Sequence, residues 1–160
     1  MIWNILPNEI NSTILLAANS GLSIYPWQKD FTQIVLDYVD YQQNSTCIDI
    51  GANYGFLTRH YSLFFQNVHS FEMHKGVYDC LVKNVADLKN VKTYNVALYS
   101  EKTSDLTCTD MSDHGGNRIR HGESPSKGIM SIQAETLDSY KIQNIDLIKI
   151  DVEGSELKVL

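Results

Sequence analysis

The stretch CIDIGANYG, residues 47–55, restricts what this chain can fold into more than any other. A short apolar run carries Asp49, and two glycines, Gly51 and Gly55, then stand four apart before a helix-like segment. A turn from buried strand into helix brings free backbone N–H groups and a positive helix terminus to the carboxyl edge of a sheet. Gly51 and Gly55 remove side chains where a ligand or a neighbouring backbone must approach closely. Between them sits Asn53, one of the few non-glycine residues that tolerate left-handed backbone angles.

The rest of the chain extends this turn into an α/β pattern. Apolar residues at Phe31, Ile34, Val35, Tyr38 and Val39 recur at helical spacing, predicting an amphipathic helix from Trp27 to about Tyr41. A short helix is expected near residues 10–18 within an otherwise irregular arm. Strands are expected at 47–50, 68–72 and 91–97, with helices at 55–65 and 76–88 between them. Strands alternating with helices of this length mark βαβ units and a parallel sheet. Residues 104–109 and 128–133 then read as an antiparallel pair around a polar loop, 110–127. A strongly apolar strand at 145–150 ends in Asp151-Val152-Glu153-Gly154, and a helix starts at Ser155. Two segments follow: an N-terminal arm and helix, 1–46, and a ligand-binding domain, 47–160.

Composition narrows the partners. At 160 residues and 43% hydrophobic, the chain can bury the core of one ordinary domain. A formal net charge of −6 argues against a nucleic-acid partner, which is held by clustered Lys and Arg. The three cysteines form no C-x-x-C pair, and their odd number suits reduced thiols better than a disulfide framework. No basic leader precedes the apolar patch at 14–18, and no run approaches the roughly 20 apolar residues of a membrane span. A cytoplasmic protein without membrane partners is expected, and the sequons at Asn11 and Asn44 read as chance matches.

Glu72 ends the second strand, 21 residues after Gly51. In doubly wound sheets an acid at that place hydrogen-bonds the hydroxyls of a ribose. A nicotinamide dinucleotide site would want G-x-G-x-x-G, which fails here at its second and third glycines. Asp49 is a poor neighbour for a pyrophosphate and a good one for an ammonium group, so the chemistry favours a nucleoside carrying a cationic amino acid, as in S-adenosylmethionine.

The strings IDIGANYGFLT, FEMHKGVYDCLVKN, NVAL and AETLDSY…IDLIKIDVEGSELKVL resemble the FkbM family of S-adenosylmethionine-dependent methyltransferases. The resemblance runs from about Cys47 to Leu160, and its last block is the most specific. It implies a Rossmann-like class I methyltransferase sheet with helices on both faces, and O-methylation of a hydroxyl on a sugar or other small metabolite. Carried onto this chain, Asp49, Gly51, Asn53 and Gly55, with Ala52 and Thr58 of the same turn, would line the methionine end of the cofactor. Glu72 and the adjoining Met73 would lie at the ribose, and Val96 and Ala97 by the adenine. Family members often read F-E-P where this chain has Phe71-Glu72-Met73, a departure expected to adjust the loop and keep the acid.

Asp151 and Glu153 stand at the carboxyl edge where ligands of open α/β sheets bind. Methyl transfer needs an in-line hydroxyl and, for a weakly acidic alcohol, a base. Asp151 is the first candidate for cofactor or acceptor contact and a second choice as base; Glu153 is either a partner in that chemistry or a cap for the next turn. No phosphate-cradling G-x-x-x-x-G-K-[ST] accompanies the acid, and no second ligand for a metal at Asp151 is evident. His60, His69, His74, His114 and His121 show no ligand spacing, so they are expected on the surface or partly packed, with no metal site. Arg118 and Arg120 either meet an anionic acceptor or sit in a solvated loop. The sheet is expected to stop after its fourth core parallel strand, leaving 145–150 as an edge that a second copy of the chain could cover. Two alternatives remain: a nucleoside-binding module of the same fold without catalysis, and a dehydrogenase-like enzyme, which the glycine spacing disfavours.

Overall fold

In the computed structural model two four-stranded sheets face a shared cleft, and the sequence dictates which residues each buries. The structure describes residues 2–20, 37, 45–120, 122 and 124–159. The helix expected at 27–41 falls outside them, except for Asp37.

The chain enters with helix α1 (Ser12–Ser20). A parallel sheet is then built from β1 (Thr46–Ile50), β2 (Asn67–Phe71), β3 (Val91–Tyr94) and β8 (Ile145–Ile150) in the order β3-β2-β1-β8. Helices α2 (Phe56–Tyr61) and α3 (Lys75–Asn84) connect its first three strands. The second sheet, in the order β4-β7-β5-β6, takes β4 (Ala97–Leu98), β5 (Thr103–Thr109), β6 (Ile119–Arg120) and β7 (Ile129–Glu135). A short helix, α4 (Glu156–Val159), follows β8.

β1 is buried along its whole length, as expected of a central parallel strand. Its alternate residues serve different layers. Cys47 packs with Leu57, Tyr61, Phe65 and Val68 beneath α2. Ile48 and Ile50 turn the other way, against Phe71, Val96, Leu98 and Val159, with Leu137, Tyr140 and Ile142 closing the layer. Helices on both faces were expected. Among the described residues α2 and α3 cover one face, whereas the other takes a 3-10 turn at Leu137–Tyr140, the β4 segment and the last turn of α4.

Element boundaries depart from expectation where side chains capture backbone groups. The strand expected at 91–97 is two strands in two sheets, β3 and β4. Between them Asn95 Nδ2 donates to the carbonyls of Glu72 at 2.8 Å and Met73 at 3.1 Å, drawing the chain across the end of β2. Likewise α3 stops at Asn84, whose side-chain amide donates to Tyr54 O at 2.8 Å and Asn4 O at 2.9 Å. The antiparallel pairing of 104–109 with 128–133 holds as β5 against β7. The polar loop between them is more ordered than its composition suggests, supplying β6, a 3-10 turn and the buried His114 and Asn117.

The N-terminal arm packs into the domain core. Trp3 and Ile14 are buried with Tyr54, Phe56, Val77 and Cys80, and the Trp3 and Phe56 rings lie 4.2 Å apart. Among the described residues no helix is long and apolar enough to cross a membrane.

Candidate functional site

The carboxyl ends of β1, β2 and β8 open into a cleft with two lobes. The first, about 530 Å³, is lined by Ile50, Gly51, Asn53, Phe71, Glu72 and Met73 from the parallel sheet. Val96, Ala97 and Leu98 form its floor, His114, Asn117 and Ile119 its far wall, and Asp151 to Glu153 its rim. The second, about 790 Å³, shares Gly51, Asn53, Gly115, Asp151 and Glu153 and adds Asn11, Thr13, Ile14, Ala52 and Lys149.

Backbone geometry at the glycine turn explains its residue types. Gly51 has φ 75°, Asn53 φ 52° and Gly55 φ 89°. A Cβ on Gly51 would lie 1.9 Å from Asp151 O, so the two strand ends can meet only at a glycine. A Cβ on Gly55 would lie 2.6 Å from Leu81 Cδ1, so the start of α2 approaches α3 closely at that glycine.

Glu72 is buried at the tip of β2. Its Oε2 accepts the Asn53 N–H at 2.9 Å and its Oε1 the His74 N–H at 2.8 Å. Burial pushes its carboxyl above the ordinary range against the pull of those two amides. A carboxylate has about four lone-pair positions. The two amides fill half of them and leave the rest for hydroxyl donors in the lobe.

Asp49, Gly55 and Thr58 stand behind the cleft wall. Asp49 is fully buried, and its Oδ2 accepts the Thr58 hydroxyl at 2.6 Å. Lys149 Nζ lies 3.3 Å from Asp49 Oδ1 but out of line for a hydrogen bond, so among the described residues that oxygen has an ion-pair partner and no hydrogen bond. The ammonium group that Asp49 was expected to meet is supplied by the protein itself. Lys149 also donates to Gly51 O at 2.9 Å and lies 3.7 Å from Asp151 Oδ2. Gly51, Ala52, Asn53, Glu72, Met73, Val96, Ala97, Asp151 and Glu153 line the cleft.

Asp151 is half exposed at the rim. Glu153 holds a left-handed φ of 52°, an unfavourable angle for a glutamate. Burial, then the neighbouring Asp151 charge, raises its carboxyl above the usual range. The Gly154 amide takes its acceptor from Glu156 Oε1 at 3.1 Å, a capping role that had been open to Glu153. Arg118 and Arg120 are exposed and line neither lobe.

Residues 49–160 match the family model of the methyltransferase FkbM domain. The chain belongs to the FkbM methyltransferases. No curated protein matches it. In this methyltransferase the family region begins within β1 and holds every residue that lines the first lobe, while Asn11, Thr13 and Ile14 of the second lobe lie outside it.

Sequence reasoning missed several residues. Lys149 had a visible signal, the one cation in a strand that is apolar apart from Asp146. His74 and His114 were expected on the surface or partly packed, yet both are 4% exposed and come together with Asp110, their ligand-capable atoms all within 4.8 Å of one another. Forty residues of chain separate the two histidines, so no spacing rule could have paired them. Asn117 is buried, and its Nδ2 has no hydrogen-bond partner among the described residues. His60 and His69 are partly packed, as expected, and His121 lies outside the described residues.

Proposed function

We propose that this methyltransferase uses S-adenosylmethionine and transfers its methyl group to a hydroxyl of a sugar or other small metabolite. The observation that carries the reading is Glu72, a buried carboxylate with open acceptor capacity beside an apolar floor at the end of the second parallel strand. An acid there suits the two hydroxyls of a ribose. Val96, Ala97 and Leu98 offer an apolar surface to an adenine ring, and Asn117 Nδ2, without a partner among the described residues, offers a donor to its ring nitrogens. A buried donor without a partner is costly, so a ligand acceptor would relieve it.

The second lobe has the character of the methionine and acceptor end. Lys149, restrained by Asp49 and Asp151, presents a cation to a carboxylate, and Asp151 presents an anion to an ammonium. When bound, the cofactor supplies an electrophilic methyl on a sulfonium. The chain's own residues hold the acceptor in line, exclude water and take its proton. Glu153 suits the last task best, because partial desolvation and the neighbouring Asp151 charge raise its carboxyl, and a raised carboxyl is the better base. Asp151, tied electrostatically to Lys149, is better suited to orientation.

Calorimetric titration with S-adenosylmethionine, S-adenosylhomocysteine and NAD tests the reading. Both sulfur nucleosides should bind and NAD should not. Glu72→Gln keeps one carbonyl acceptor for the backbone amides and should weaken binding about tenfold or more, the weight of a hydrogen bond to a charged group. Asn117→Leu, away from those amides, should also weaken binding. A folded chain that binds neither nucleoside would overturn the assignment of the cofactor. Binding without methyl transfer to any hydroxyl compound would favour a nucleoside-binding module.

A further inference from the structure

At the far wall of the first lobe, where His114 lines it, lies a polar cluster to which methyl transfer assigns no role. His74 caps the N-terminus of α3, Asp110 follows β5, and His114 opens the 3-10 turn. We propose that these three side chains form a binding site for a divalent transition-metal ion of the zinc class.

The two imidazoles are buried, their ring centroids are 5.2 Å apart, and one ligand atom from each of the three residues falls within 4.8 Å of the others. Asp110 is half exposed and gives an ion a path from solvent. Two nitrogens and a carboxylate oxygen are the donor set of a zinc site with an open fourth position, whereas magnesium and calcium prefer oxygen throughout.

The second observation is the support behind His114. Its Nδ1 lies 3.1 Å from Oε2 of Glu9, a buried acid. Tyr54 donates to the same oxygen at 2.9 Å, and the Asn11 N–H donates to Oε1 at 2.7 Å. With Glu9 as the acceptor, the His114 ring hydrogen sits on Nδ1 and Nε2 is the nitrogen left for an ion. A carboxylate behind the remote nitrogen is the usual partner of a metal-bound imidazole, orienting the ring and raising its basicity.

His74 is held differently. Its Nδ1 accepts the Val77 N–H at 3.3 Å, which places the ring proton on Nε2, facing Asp110 Oδ1 at 3.0 Å. The ion takes the place of that shared proton. The ring hydrogen then moves to Nδ1, at the expense of the long Val77 contact. Loading would join the arm through Glu9, the start of α3 and the end of β5 at one point. Nothing in this site depends on the cofactor assignment.

The test uses the full chain, free of tags, stripped with a chelator and titrated calorimetrically with Zn²⁺ alone. Co²⁺ serves as a second probe because tetrahedral ligation gives strong visible absorption. A single equivalent should bind, the thermal midpoint should rise, and the Co²⁺ form should be tetrahedral. Asp110→Asn at the half-exposed ligand and His114→Gln should each weaken Zn²⁺ binding by about tenfold or more, and Glu9→Gln by about 10- to 100-fold. Asp105→Asn, an exposed acid on β5, should leave the affinity unchanged. Circular dichroism would establish that each variant is folded. A folded wild-type chain that takes up neither ion overturns the proposal, as does uptake that Asp110→Asn and His114→Gln leave intact.

Discussion

A methyl group at position 51 would lie 1.9 Å from the carbonyl oxygen of Asp151, on a backbone already at φ 75°. Left-handed angles alone cost an ordinary L-residue about 1–2 kcal/mol. With the backbone clash added, Gly51→Ala should lose about 3 kcal/mol or more, read from the urea midpoint. Gly116→Ala, where a Cβ meets nothing within 4 Å, should stay within about 0.5 kcal/mol of wild type. Glu72 sets a pH dependence of the opposite kind to a salt-bridged acid. Burial raises its folded pKa, so its contribution is fully present below its unfolded value and is lost as pH rises through the folded one. Glu72→Gln should therefore gain stability relative to wild type as pH climbs through that window, measured by urea titrations at successive pH values. At this scale the glycines, Asn53 and the strand-terminal acid were legible, because each rests on a local backbone or edge rule. The partner of Asp49 was not. Asp49 and Lys149 are paired residues of the parallel ladder between β1 and β8, and no local rule joins positions so far apart in the chain.

Among the elements, α1 shows how a local signal gains a long-range role. Asn11 Oδ1 accepts the N–H groups of Thr13 at 3.0 Å and Ile14 at 3.1 Å, an N-cap, while its Nδ2 donates to Asp113 Oδ1 at 2.9 Å. Asn11→Ala should cost about 1–2 kcal/mol for the cap. Asn11→Asp keeps the cap acceptor and sets two carboxylates against each other, so thermal melts should show a loss that shrinks when salt is added. If added salt leaves the Asn11→Asp deficit unchanged, the contact with Asp113 is not the cause. The main strands and the β5–β7 hairpin were legible from apolar runs and turn residues. The split of the third strand was not, because it depends on Asn95 reaching the carbonyls of Glu72 and Met73.

Across the whole molecule, the arm and the two sheets compose a single site. The arm supplies Asn11, Thr13 and Ile14 to the second lobe and Glu9 to His114, and it buries Trp3 and Ile14 against α2 and α3. If it belongs to one cooperative unit, damage to its core must be felt everywhere. Ile14→Ala removes a side chain that is 2% exposed and should cost about 2–5 kcal/mol. The chain has two tryptophans, so a Trp27→Phe background leaves Trp3 as the arm's own fluorescent reporter. In that background, urea unfolding followed by Trp3 fluorescence and by far-ultraviolet circular dichroism should give coincident curves, and Ile14→Ala should move both to lower urea together. Fluorescence loss ahead of the circular dichroism change would mean that the arm opens alone. The second lobe would then lose one of its walls while the parallel sheet stayed intact, and ligand affinity would fall at urea concentrations that leave the fold in place.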